Sequence, residues 1–301
     1  MLFRSLNTTG TLTALGRRAG YNNTTGADNT FIGVDVTANS AATTGNNNTG
    51  VGNYSFYNLS SGASNTALGV SALYSNTTAS NNTAVGYQAG YSNTTGTTLT
   101  AFGFSAAYSN TTGANNIAIG ANSLNSNSTG NSNTVMGYQV AYYNTTGSYN
   151  TAIGDNALKS NTTASNNTAV GYQAGYTNSL GSRNTFIGYQ AGFTSNYNGN
   201  AYNTATGYQA GYSLTTGDEN TFYGDEAGYG VTTGRFNCFV GAASGSAITT
   251  GSYNTILGTY NGNQGGLDIR TANNYIVLSD GAGNPRGRSE EHTSELQSHL
   301  N

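Results

Sequence analysis

Apolar residues along this chain fall in short, evenly spaced clusters, each ending on a glycine. The residue before that glycine is apolar in copy after copy: Leu68, Val85, Phe102, Ile119, Met136, Ile153, Val170 and Ile187. The residue two before it is small or aromatic, as at Ala67, Ala84, Phe186, Phe222 and Phe239, and the one three before is nearly always threonine. Polar stretches such as Asn93-Thr94-Thr95-Gly96 separate the clusters. Small or apolar residues alternating with β-branched ones predict a short strand. Asparagine, threonine and glycine runs predict turns. Helix is a poor alternative, because these residues are weak helix formers and the strong ones are scarce.

The glycines set the period. From Gly16 to Gly258 there are 15 anchors, and 12 of the 14 intervals are 17 residues; those ending at Gly52 and Gly207 are 19. A copy this short encloses no core of its own and must stack on its neighbours. Two short strands per copy, joined by turns, predict one coil of a parallel β-solenoid. At the ~4.8 Å spacing of neighbouring strands, the copies predict a rod roughly 70 Å long. The two longer intervals place their extra residues in turns, where a loop lengthens without disturbing the stack.

Stacking sets like residues above one another. Asn29, Asn48, Asn65 and Asn82 predict an asparagine ladder, and Thr66, Thr83 and Thr100 a threonine ladder one step on. Stacked amides hydrogen-bond along the axis, and holding register outweighs a binding role for them. Consecutive apolar residues such as Ala84-Val85 and Phe186-Ile187 point to opposite faces of a strand, and a strand apolar on both faces is normally covered on both. One face lines the interior, to which Val85 and Val170 are assigned, and the other calls for a partner. Three chains about a common axis supply it; a single chain with one exposed apolar stripe is the competing picture.

Within residues 82–91 the copy Asn-Thr-Ala-Val-Gly-Tyr-Gln-Ala-Gly-Tyr returns at 167–176. It resembles the head repeats of YadA-type trimeric autotransporter adhesins, and more closely the related repeats of bacteriophage tail fibres. The likeness runs from about Leu12 to Gly262, with a period longer than that of the familiar adhesin head. The resemblance implies a left-handed parallel β-roll assembled as a homotrimer, on a virion tail fibre or a bacterial cell surface. Asn274-Tyr275-Ile276-Val277-Leu278-Ser279-Asp280-Gly281 is similar to the junction that precedes a C-terminal intramolecular chaperone in tail fibres. The expected organisation is thus an all-β solenoid over 1–262 and a cap or junction over 263–287.

The segment from Arg288 to Ser298 reads as the in-frame translation of a common sequencing-library adapter, so 288–301 is set aside as read-through in an assembled environmental sequence. Removing it changes the chemistry. Both histidines, His292 and His299, lie there, and eight basic and nine acidic residues remain. A nearly neutral chain so poor in charge carries no nucleic-acid footprint. No apolar run is long enough for a helix to cross a bilayer. The start, Met1 to Ser5, lacks the apolar core of a signal peptide and runs straight into repeat-like sequence, so the chain reads as truncated at both ends.

Candidate chemistry is sparse. Asp218, Glu219, Asp225 and Glu226 form the one acidic grouping, read as solvated loop charges ahead of a cation site; Arg17-Arg18 reads as a solvated edge. Cys238 takes a threonine rung and reads as a buried isostere. No catalytic, metal or cofactor set is assigned. Tyrosine is more informative, with 23 in the chain at strict spacing, which also argues against disorder. Tyr57, Tyr74, Tyr91 and Tyr108 share one position, and Tyr172, Tyr189 and Tyr208 another, beside Gln173, Gln190 and Gln209. Ring packing along the ladder outweighs a glycan-contact site, although repetition would strengthen weak sugar contacts by avidity. The expected function is a fibre segment for reach and attachment to a cell-surface glycan or other host receptor. The alternative is an ice-binding single-chain solenoid, in which a flat threonine face orders water.

Overall fold

The computed structural model describes residues 10–290, in two compact units, Met1–Asn167 and Thr168–Asn301. Among the described residues there is no helix. The fold is all-β, a parallel β-solenoid with one coil per sequence repeat.

The first unit contributes nine strands: β1 (Leu12–Leu15), β2 (Asn29–Ile32), β3 (Thr49–Val51), β4 (Thr66–Leu68), β5 (Thr83–Val85), β6 (Thr100–Phe102), β7 (Ile117–Ile119), β8 (Thr134–Met136) and β9 (Thr151–Ile153). Each pairs in parallel with the next, one repeat on, so that Thr83 lies against Thr100, Ala84 against Ala101 and Val85 against Phe102. The longer interval is absorbed outside the ladder, and Thr30 still meets Thr49.

The second unit repeats the plan with β10 (Thr168–Val170), β12 (Thr185–Ile187), β14 (Thr204–Thr206), β15 (Thr221–Tyr223), β16 (Cys238–Val240) and β17 (Thr255–Leu257). Between them, β11 (Gly181–Ser182) and β13 (Gly199–Asn200) form a small parallel pair at the longer coil. After β17 come the antiparallel pair β18 (Asn263–Gln264) and β19 (Leu267–Asp268), then β20 (Tyr275–Ser279), which pairs with β17 and with β21 (Pro285–Glu290). This hairpin brings the first three residues of the adapter-like segment, Arg288 to Glu290, alongside Val277, Ile276 and Tyr275. Tyr260 is fully buried and donates its hydroxyl to the Leu267 carbonyl of β19 at 2.8 Å.

Apart from the coils that hold the two-residue β11 and β13, each coil carries one regular strand, where the repeat predicted two. The second half of the coil is a run of overlapping turns. In the copy from Gly86, the N–H groups of Ala89, Tyr91 and Asn93 donate to the carbonyls of Gly86, Gln88 and Gly90. Gln88 and Gly90 hold φ of 55° and 59°. Left-handed residues at alternate positions fold the chain back on itself and are incompatible with an extended strand. The anchor glycine has its own reason. Gly86 has φ 136°, and a Cβ there would lie 2.7 Å from the carbonyl carbon of Gly103 in the next coil.

The strands decide which apolar residue faces inward. Ala84 is fully buried, as are Ala67, Ala101, Phe186, Phe222 and Phe239. Val85 and Val170 are half-exposed, and Leu68 and Phe102 are 47% and 56% exposed. Their assignment to the interior is therefore corrected: the residue before the glycine faces outward. Alternation along a three-residue strand allows one of the two faces to be interior, and the middle residue of the strand takes it, whether alanine or phenylalanine.

Amides line much of the interior. Asn133 donates its main-chain and side-chain N–H to Asn116 Oδ1 (2.9 and 3.2 Å) and its Nδ2 to the Gly147 carbonyl (2.9 Å). Asn150 binds Asn133 in the same way. A second buried column, not foreseen from sequence, runs through Asn76, Asn93, Asn110, Asn127, Asn144 and Asn161, with amide-to-amide distances of 2.6–3.1 Å. In the second unit, Leu214, Val231 and Ile248 take the equivalent interior place. Each satisfied amide contributes about 1 kcal/mol net, and a mismatched coil would leave it unpaired.

Candidate binding surfaces

The tyrosine positions do stack. Tyr57, Tyr74, Tyr91 and Tyr108 follow the first turn of successive coils, with ring centroids 4.9, 4.8 and 5.0 Å apart and planes within 16° of parallel. Tyr172, Tyr189 and Tyr208, directly after the anchor glycine, stack at 5.4 and 5.2 Å. Beside them the Gln190 amide donates to Gln173 at 2.7 Å and the Gln209 amide to Gln190 at 2.9 Å. The same spacing also aligns Tyr176, Phe193, Tyr212 and Tyr229, at 5.0–5.2 Å. That mixed column was legible in the 17-residue step once phenylalanine is counted with tyrosine.

Stacking limits what these rings offer. An inner ring such as Tyr74 has both faces against its neighbours, so a sugar cannot lie on it as on an isolated aromatic plane. Ring edges and hydroxyls, repeated about every 5 Å along each column, are what remain. Burial, and then the nearby phenols Tyr91 and Tyr57, push the Tyr74 hydroxyl pKa up; burial and Tyr108 do the same to Tyr91.

A second surface is the outer face of the strands. Thr66, Thr83 and Thr100 point outward from the same strands as Leu68, Val85 and Phe102. The threonine column and the apolar column thus share one face. A further set of threonines is engaged in structure: Thr77, Thr94 and Thr111 donate their hydroxyls to main-chain carbonyls one coil on, at 2.9–3.1 Å.

Of the acidic grouping, Glu219 and Asp225 are exposed and Glu226 is half-exposed, whereas Asp218 is paired. Asp218 is only 3% exposed; it receives Arg235 through Nε and, at 2.7 Å, through Nη2. Burial requires such a partner, so the reading of Asp218 as a solvated loop charge is corrected. Arg17 and Arg18 converge on buried Asp35, at 3.0 and 3.7 Å. Among the described residues no three His, Cys, Asp or Glu side chains come together in a manner suited to a metal ion. Cys238 lies between Thr221 and Thr255, on the threonine rung as read, but it is half-buried. No helix among the described residues is long and apolar enough to cross a membrane. His292 and His299 lie outside the described residues.

No protein-family model matches this chain, and no curated protein sequence matches it.

Proposed function

We propose that this chain is a structural and adhesive fibre segment, of a phage tail or a bacterial surface adhesin, that works as a homotrimer outside the cell. The observation that carries the reading is the outward apolar column, which runs through Leu68, Val85, Phe102 and Met136 in the first unit and through Ile187, Val240 and Leu257 in the second, where Thr206 and Tyr223 take the two rungs between Ile187 and Val240. An aligned apolar stripe on a polar chain marks an interaction surface, and like residues at like heights suit another copy of the same chain. In this reading the role is reach and attachment. The ring edges, hydroxyls and amides of the Tyr172–Tyr208 and Gln173–Gln209 columns would meet a cell-surface glycan or other receptor, and no residue is given a catalytic role. Light scattering on the size-exclusion peak of the full chain tests it: a trimer supports the fibre, and a folded monomer overturns it.

The outward threonine column on evenly spaced parallel strands favours a second reading, ice binding by a single chain. Large side chains of unequal size beside it, Phe102 next to Val85 for example, roughen the face and count against it. Thermal hysteresis of the folded protein decides for or against this alternative.

A further inference from the structure

The aromatic columns carry chemistry beyond packing. Phenols lose an electron and a proton to one-electron oxidants, and two phenoxyl radicals join at their ortho carbons when they meet face to face. In solution that encounter limits the reaction. Here Tyr57, Tyr74, Tyr91 and Tyr108 are held face to face in advance, at 4.8–5.0 Å and within 16° of parallel. All four are half-exposed, so a small oxidant reaches them. Tyr212 and Tyr229 form a like pair at 5.1 Å and 8°. By contrast Tyr176 is stacked on Phe193, which has no phenol.

We infer that these stacked tyrosines are sites of oxidative dityrosine cross-linking between successive coils, driven by a peroxide-class oxidant. Each link removes the hydroxyl hydrogen of two phenols and passes two electrons and two protons to the oxidant, so that one peroxide becomes two waters. One ortho carbon–carbon bond forms, and the two displaced ortho hydrogens move as protons to the oxygens, which restores both phenols. The product is a covalent staple across one 17-residue step, and a column of four tyrosines forms such staples in alternative pairs. Positioning lowers the barrier by supplying the encounter in advance.

The test is photo-oxidation of the dilute full chain with a ruthenium tris-bipyridyl sensitiser and persulfate, a one-electron oxidant pair. Dityrosine fluorescence and mass spectrometry of a digest are the readouts. Expected products are within-chain links Tyr57–Tyr74, Tyr74–Tyr91, Tyr91–Tyr108 and Tyr212–Tyr229, with Tyr172–Tyr189 and Tyr189–Tyr208 from the other stacked tyrosine column, each with the loss of one pair of hydrogen atoms. Tyr176 should give none to its stacked neighbour. In the double variant Tyr74→Phe/Tyr91→Phe, all three links of the first column should disappear while Tyr212–Tyr229 persists. Phe193 shows that phenylalanine is accepted in such a stack, and an unchanged circular dichroism spectrum would confirm it for the variant. The inference is overturned if oxidation yields no within-chain links, or if links follow exposure and gather on Tyr149, the tyrosine 64% exposed, in place of the stacked pairs.

Discussion

Phe222 occupies the space that a side chain at Gly228 would need: a Cβ at Gly228 would lie 2.7 Å from Cγ and Cδ1 of the Phe222 ring. The two positions face each other across the interior of one coil and trade volume from copy to copy. Phe186 and Phe239 are likewise matched with Gly192 and Gly245. In several coils of the first unit the order reverses, and Ala67, Ala118 and Ala152 are matched with buried Leu73, Leu124 and Leu158; Ala84 and Gly90 are both small, and Leu73 and Leu99 fill the space beside Gly90. Leu124 accepts φ 50° there, so the left-handed backbone does not by itself demand glycine.

This exchange gives a double-variant test. Gly228→Leu alone should cost about 2–4 kcal/mol through overpacking and backbone strain. Phe222→Ala alone should cost about 3–5 kcal/mol through the cavity and the lost stack on Phe239. Together they recreate the Ala118–Leu124 pair, and denaturant unfolding should show the double variant recovering about 1–3 kcal/mol relative to the sum. Strict additivity would refute the proposed volume exchange.

The amide columns make a stronger prediction. Asn133→Ala removes the acceptor of two Asn150 hydrogen bonds and the donor to the Gly147 carbonyl, all in the interior. Groups left unpaired there cost about 1–3 kcal/mol each, so a loss of about 3 kcal/mol or more is expected. Hydrogen exchange should speed at the Asn150 main-chain amide. Thr134→Ala, one residue along on the half-exposed outer face, should change stability by about 0.5 kcal/mol or less.

Orientation of the strands separates folding from assembly. Ala84→Asp places a charge in the closed interior and should abolish cooperative melting. Val85→Asp, on the half-exposed outer face, should leave the fold of a single chain intact. In the proposed trimer it puts three carboxylates into a shared apolar surface, so light scattering should report monomers. A variant that stays trimeric would move the interface elsewhere.

Alkali should destabilise the first unit only once the pH passes the ordinary phenol value. Tyr74 and Tyr91 hold their protons more tightly when folded than at the usual phenol value of 10.0. Stability from a group with a raised folded pKa is complete below the unfolded value and is lost as pH rises through the folded one. Melting temperature should therefore hold up to about pH 10 and fall above it. Tyr74→Phe/Tyr91→Phe should flatten that fall, as followed by circular dichroism against pH.

The 17-residue step and the threonine–small–apolar–glycine order determined the coil, the strand and the register of Thr83 on Thr100, because a stack of identical repeats admits one alignment of like residues. The period also placed the tyrosine columns, since residues one coil apart must lie at one strand spacing. The assignment of Val85 to the interior failed because both Ala84 and Val85 are apolar, and alternation puts them on opposite faces without saying which face closes. Tertiary structure decided it, because the middle residue of each strand faces the closed interior, and that interior admits a large side chain where its opposite number is glycine, as with Phe222 and Gly228. The left-handed residues were equally hidden, since Gln88 and Leu124 have no intrinsic preference for that backbone and adopt it under the hydrogen bonds and packing of adjoining coils. Asp218 read as solvated for the same reason. The burial that pairs it with Arg235 arises only when two coils, 17 residues apart in the chain, are laid one on the other.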